Sequence, residues 1–105
     1  MLGMKFIIGN QELDAEAVSE GTYLSERTGA TLRQLTIIFT IQGRNASDKY
    51  NSLEKHAYNE GLVSADLEAR WELYDVTGST FAGWDDNLVY TGFWVLRQQD
   101  EEASE

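Results

Sequence analysis

Apolar and polar residues alternate along two segments of the chain. Residues 31–42 and residues 66–76 place apolar side chains at every second position, and β-branched residues are frequent in the first segment. Because successive side chains of a strand point to opposite faces, this period of two predicts two half-buried β-strands. The side chains predicted to face the core are Leu35, Ile37, Phe39, Ile41, Leu67, Ala69, Trp71 and Leu73.

The first part of the chain predicts a β-hairpin. Residues 4–8 and 11–24 have strand character, and they are joined by Gly9 and Asn10, which both tolerate the positive φ of a tight turn. The alternation changes parity over residues 19–21, so we expect a bulge or bend in the second arm.

The last third of the chain predicts one further strand. Residues 77–79 are expected to break the preceding strand, leaving a short piece at 80–82 and a loop at 83–87. Residues 88–96 are apolar at both parities. A strand of that kind is expected to be covered on both faces, either at the centre of the sheet or beneath a helix.

Between these strands the period of the apolar positions lengthens to that of a helix. We predict one amphipathic helix at residues 47–60, with Ser47 or Asp48 as its N-cap and Gly61 just past its C-terminus. Its buried stripe is predicted to contain Tyr50, Leu53 and Ala57.

These elements predict one α+β domain over residues 4–98. We expect a mostly antiparallel β-sandwich or partly open barrel of five or six strands, with the helix inserted between strands 3 and 4. Residues 99–105 are predicted to be a flexible acidic tail.

Composition and charge narrow the classes of function. The 105 residues include 18 acidic and 8 basic side chains, for a net charge of −10, and no cysteine. Such a surface repels nucleic acid, so we expect no nucleic-acid partner. No apolar run approaches the roughly 20 residues of a membrane span, and the N-terminal residues lack the pattern of a signal peptide, so we expect no membrane partner and synthesis in the cytoplasm.

Few residues are candidates for chemistry. The one histidine, His56, is predicted on the exposed face of the helix, and no cysteine is present to bind a transition metal with it. The pair Glu68 and Glu72 is a weak candidate for acid–base catalysis on a solvent face. Asp75, Asp85 and Asp86 are alternatives for a calcium site, but residues of this type also make turns. We therefore expect no enzyme activity, no cofactor and no metal site.

Aromatic residues offer the best candidates for a functional surface. Trp84 lies in a predicted loop between Gly83 and Asp85, where it is either an interface anchor or a lid folded over the sheet edge. The other candidate interface residues, each with one side open to water, are Tyr23, Tyr58 and Tyr74.

Five stretches of the chain give it a resemblance to a known class of proteins. They are FIIGNQEL (6–13), RQLTIIFTIQG (33–43), YNSL (50–53), WELYD (71–75) and YTG (90–92). In these stretches the chain resembles small tail or baseplate proteins of bacteriophages and prophages. The resemblance implies a structural or tail-assembly role in a virion, with no catalytic residues.

The partners implied by this resemblance are proteins: further copies of the chain, giving a homo-oligomer, or other tail proteins. The alternative hypothesis is a non-viral protein-binding or regulatory module that uses a sheet edge or the Trp84 loop.

Overall fold

Six β-strands and one α-helix make up the computed structural model, which describes residues 3–100. The elements are β1 (Gly3–Ile8), β2 (Gln11–Leu24), β3 (Thr31–Gln42), α1 (Ala46–Glu60), β4 (Leu62–Ser64), β5 (Ala69–Ala82), a 3₁₀ turn (Asp85–Asn87) and β6 (Val89–Gln98). The predicted α+β class, with its helix between the third and fourth strands, is confirmed. The predicted acidic tail lies outside the described residues from 101 onward.

The strands form a single antiparallel sheet that closes on itself. Their order around the ring is β1-β2-β3-β6-β5-β4, and β4 returns to β1. This last junction is short, because only Phe6 pairs with Ser64 and Ile7 with Val63. The sheet is one closed ring, so the alternative of two packed sheets does not apply.

Two strands extend well beyond their neighbours in the ring. β1 pairs with β2 only over residues 11–16, and β4 pairs with β5 only over residues 69–71. Within the described part of the chain, no strand pairs with the outer edge of β2 from residue 17 to 24, or with that of β5 from residue 72 to 82. The molecule is therefore elongated, with extents of 48 × 25 × 22 Å.

Two fully buried tryptophans fill the interior of the ring, and a hydroxyl group satisfies each indole N–H. Trp71 Nε1 donates to Ser64 Oγ at 2.8 Å, and Trp94 Nε1 donates to the Tyr50 hydroxyl at 2.9 Å. A buried indole N–H without an acceptor would cost about 1–3 kcal/mol. The two hydroxyls therefore allow these large side chains to be buried completely.

The helix packs against the inner face of the sheet through Tyr50. The Tyr50 ring stacks on Tyr90, with centroids 4.3 Å apart, and on Phe39, with centroids 5.8 Å apart. It also lies over Gly92, where an added Cβ would come within 2.6 Å of the Tyr50 ring and 2.7 Å of the Phe39 ring. The absence of a side chain at Gly92 is what lets the helix approach the strand this closely.

The ends of the helix partly match the prediction. Its C-terminus is confirmed, since Gly61 has a φ of 77° and its N–H donates to the Ala57 carbonyl at 2.9 Å. The predicted N-cap is wrong: the helix begins at Ala46, and neither Ser47 nor Asp48 precedes it. The N-cap position is Asn45, whose side chain makes no capping hydrogen bond.

The predicted bounds around β5 are wrong at both ends. Residues 65–68 form a turn that includes Glu68 at a φ of 49°, so the strand starts at Ala69 and Leu67 lies before it. The short strand β4 was not predicted. Residues 77–79 do not end β5, because its pairing with β6 continues to Ala82. The register shifts at two bulges, between Leu73 and Asp75 and between Val76 and Gly78.

Two other details of the strands differ from the prediction. The bulge in β2 falls between Ala17 and Ser19, slightly before the predicted position. β6 is central, between β3 and β5, but it is not covered on both faces. The helix covers its inner face only, and the outward side chains Val89, Phe93 and Val95 remain partly exposed.

We expect the substitution Gly92→Ala to destabilise the protein by about 1–3 kcal/mol, because the new methyl group must displace two buried rings. The matched control is Gly21→Ala, also in a strand, where an added Cβ meets no atom within 4 Å. Chemical denaturation of both variants measures the difference. Equal stabilities would show that the helix does not depend on close approach at Gly92.

We expect stability to fall at alkaline pH, in part through Tyr50. Burial raises the pKa of Tyr50 above the ordinary value of 10.0. As pH rises, Tyr50 therefore ionises in the unfolded chain before it ionises in the folded protein. The stabilisation that the neutral phenol gives the folded state is complete below pH 10 and is lost as pH rises through the folded-state pKa. The variant Tyr50→Phe should be less stable by about 1–3 kcal/mol at neutral pH, since Trp94 loses its acceptor. Its stability should also fall less steeply above pH 10 than that of the unmodified protein, and identical slopes would contradict this role.

Candidate functional site

The structure places the four candidate interface residues in three regions. Tyr23 and Tyr74 lie near each other at one end of the molecule, whereas Trp84 lies beyond the other end of β5. Tyr58 is on the exposed side of α1 and joins neither group. The exposed fraction is 84% for Trp84 and 53% for both Tyr58 and Tyr74, while Tyr23 is half-buried.

An arginine brings Tyr23 and Tyr74 together. The guanidinium carbon of Arg97 lies 4.6 Å from the centroid of the Tyr23 ring and 3.5 Å from that of Tyr74. Arg97 Nε also donates to Gln34 Oε1 at 2.9 Å. Both rings attract the cation through their π faces, so the three side chains form one ordered cluster on the outer face of the sheet.

The hydroxyl of Tyr23 fixes this cluster to the end of β6. It donates a hydrogen bond to the Gln98 carbonyl. Burial is the main cause of a raised pKa at Tyr23, and the negative charge of Glu72 raises this pKa further. The phenol therefore stays protonated as a donor at neutral pH.

The cluster borders a groove of about 860 Å³ at this end of the molecule. The groove is lined by Tyr23, Leu24, Ser25, Glu26, Arg27, Arg70, Glu72, Tyr74, Arg97, Gln99 and Asp100. Three of the five arginines of the chain are in this set, against three acidic residues. The groove therefore has equal numbers of basic and acidic residues, whereas the whole chain has a net charge of −10, so the groove is more basic than the rest of the protein.

Arg70 and Leu24 are the side chains of the groove most available to a ligand. Leu24 is 67% exposed. Arg70 is exposed and forms no ion pair with any residue between 3 and 100. The groove thus combines an exposed apolar side chain, tyrosine rings and an exposed cation.

At the opposite end, a defined turn presents Trp84 to solvent. Gly83 has a φ of 106°, and a Cβ there would overlap the Asn87 carbonyl oxygen. Asn87 N–H donates to the Trp84 carbonyl at 3.0 Å, and Arg44 forms an ion pair with Asp86 at 3.0 Å. The Trp84 ring is not a lid over the sheet edge, since it is almost fully exposed.

The structure gives little support to the candidates for acid–base or metal chemistry. His56 pairs with Glu60 across one helical turn at 2.6 Å. Glu68 lies in a turn while Glu72 lies in β5, so the two do not share a strand face as predicted. Asp75 accepts a hydrogen bond from the Val76 N–H at 2.9 Å, as turn and bulge residues do.

The described part of the chain offers neither a metal centre nor a membrane-spanning helix. Among residues 3–100, no group of three or more His, Asp or Glu side chains is arranged to hold a metal ion. In the same part of the chain, no helix is both long enough and apolar enough to cross a membrane.

Sequence reasoning missed the arginines of the groove. Arg97 falls one residue beyond the end of the predicted last strand, and its two aromatic neighbours come from β2 and β5, far away in the chain. The only available signal was the alternation of residues 66–76, which places Arg70, Glu72 and Tyr74 at the positions between the predicted core residues.

Comparison with known proteins identifies no relative, because no family model, no curated protein and no solved structure matches the chain.

We expect Trp84→Ala to change the free energy of unfolding by no more than about 0.5 kcal/mol, because the side chain has almost no packing to lose. It should also remove most of the tryptophan fluorescence that acrylamide quenches, since Trp71 and Trp94 are fully buried. A large loss of stability, or unchanged quenching, would contradict the exposed position of the ring.

Proposed function

We propose that this protein is a structural or assembly subunit of a phage-type tail particle, acting through contacts with other proteins and with copies of itself. The observation that carries the proposal is the exposed Trp84 on a turn defined by the positive φ of Gly83 and by the hydrogen bond from the Asn87 N–H to the Trp84 carbonyl. Tryptophan is enriched at the energetic centres of protein interfaces. A turn that is already ordered loses little conformational entropy on binding.

The outer face of the sheet supports the same proposal. Side chains of Val89, Phe93 and Val95 remain partly exposed on the central strand, beside Ile38 of β3. Partly exposed apolar residues on neighbouring strands are typical of surfaces that become buried in an assembly. The acidic surface would keep unassembled subunits soluble until a specific contact forms.

The phage-type context rests on the sequence resemblance described above. A tail subunit needs a stable core and surfaces that bind neighbouring subunits, and it needs no catalytic centre. The closed sheet and the exposed features at both ends of the molecule are suited to that role.

A specific observation favours the alternative of a non-viral binding module. The outer edge of β2 from residue 17 to 24 pairs with no described strand, and the space beside Gly21 is open. An extended peptide from another protein adds to edges of this kind through backbone hydrogen bonds.

Light scattering across protein concentration distinguishes these functions. A self-assembling subunit should show a mass above 11.9 kDa that increases with concentration. The increase should be larger at about 0.5 M than at about 0.05 M salt, because salt screens the repulsion between acidic subunits. A monomer of 11.9 kDa under all conditions would overturn self-assembly and favour a module with a different partner.

A further inference from the structure

The two ends of the molecule are complementary in chemistry. One end presents the Trp84 ring with the Asp86 carboxylate, and the other presents the groove with Leu24 and Arg70. We infer that the Trp84 loop of one copy inserts into the groove of the next copy, so that subunits associate head to tail. This inference rests on the proposed assembly function and specifies its contact.

The loop cannot occupy the groove of its own chain. Glu72 borders the groove, and Ala82, which precedes the loop, lies ten positions further along β5. At about 3.3 Å per residue in a strand, the two sites are on the order of 30 Å apart. β6 pairs with β5 along this whole length and holds them apart. Only a second copy can bring the loop and the groove together.

Apolar contact is the first component of the inferred interface. The side chains of Leu24 and Tyr74 border the groove, and each is more than half exposed in the single chain, Tyr74 with Arg97 against its ring. Covering them with the Trp84 ring would remove all three from water, at about 25 cal/mol per Å² of apolar surface. A volume of about 860 Å³ is within the range of pockets that enclose a group of this size.

Charge complementarity is the second component. Arg44 Nε lies 3.0 Å from Oδ1 of Asp86, and the Asp86 side chain is still 76% exposed, so its carboxylate remains accessible to a second cation. Arg70 of the next copy is exposed and without an ion pair among residues 3–100. Because each copy carries a net charge of −10, a local pairing of this kind also determines which surfaces approach each other.

A contact of this type is heterologous, since each copy uses a different surface on each side. Such contacts repeat from one subunit to the next and produce a closed ring or an open filament, according to the rotation between copies. They do not stop at a symmetric dimer. This property separates the inferred contact from a symmetric one, such as Trp84 packed against Trp84 of a second copy.

Three variants test the contact at a fixed salt concentration of about 0.15 M. Trp84→Ala removes the anchor, and Arg70→Glu reverses the charge in the groove. The control Lys55→Glu makes the same charge change on the exposed side of α1, outside both surfaces. We expect at least a tenfold weaker association for the first two variants, measured by sedimentation equilibrium, and a change below threefold for the control.

Mixing the two defective variants gives the decisive result. A Trp84→Ala copy keeps an intact groove, and an Arg70→Glu copy keeps an intact loop. An equimolar mixture should therefore form a 1:1 dimer that grows no further, although each variant alone is monomeric. Native mass spectrometry of the mixture, with one variant isotope-labelled, identifies this dimer.

The possible outcomes separate the contact from the proposed function. If the unmodified protein assembles and both variants assemble equally well, the head-to-tail contact is wrong while assembly itself stands. If Trp84→Ala is monomeric but Arg70→Glu assembles normally, the loop binds a surface other than the groove. If the unmodified protein is a monomer throughout, both the contact and the self-assembly are overturned.

Discussion

The packing of Tyr50 over Gly92 is the contact on which the rest of the structure depends. The ring of strands is closed at β1 and β4 by only two residue pairs, so the short strands alone enclose little of the core. The helix completes the enclosure, and Tyr50 joins it to the sheet through ring stacking and the hydrogen bond from Trp94. Since Trp94 is fully buried, the same hydroxyl group both positions the helix and satisfies the largest side chain of β6.

This arrangement leaves both ends of the sheet outside the core. The helix covers only the inner face, and the outer edges of β2 and β5 run on past their short neighbours. The ends therefore do not need to bury apolar residues for the fold to form. Trp84 and the groove lie on these extensions, where side chains are constrained by local turns and ion pairs rather than by the core. The same strands thus stabilise the core in one part and present exposed side chains in their extensions.

The sequence allowed most of the fold to be predicted, and less of the candidate site. The bounds of β3 match the prediction because the alternation is regular from Leu35 to Ile41 and turn residues flank the segment at both ends. β4 has only three residues, too few to show a period, and the strand break expected at residues 77–79 is overridden by pairing with β6. The loop that carries Trp84 was predicted from its neighbours in the chain, but they left open whether the ring is exposed or folded over the sheet edge, and the structure shows it exposed. The Arg97 cluster did not, because it depends on how β2, β5 and β6 are placed side by side.

The sheet edges affect how the proposed assembly could form, either by strand addition at an edge or by side-chain contacts at the two ends of the molecule. Along β5, two bulges interrupt the register, and Asp75 accepts the Val76 N–H that an incoming strand would otherwise use. On β2, Glu20 follows the bulge between Ala17 and Ser19, and it forms an ion pair with Arg33 on the inner face of the sheet. Bulges and inward charges are devices by which natural sheets prevent edge-to-edge pairing. Strand addition is thereby disfavoured along β5 and near the β2 bulge, which leaves the edge of β2 beyond Glu20 as the stretch open to an added peptide. The Trp84 loop and the groove carry no such obstacle. Assembly through side chains at the two ends is accordingly the mode that this sheet permits most readily.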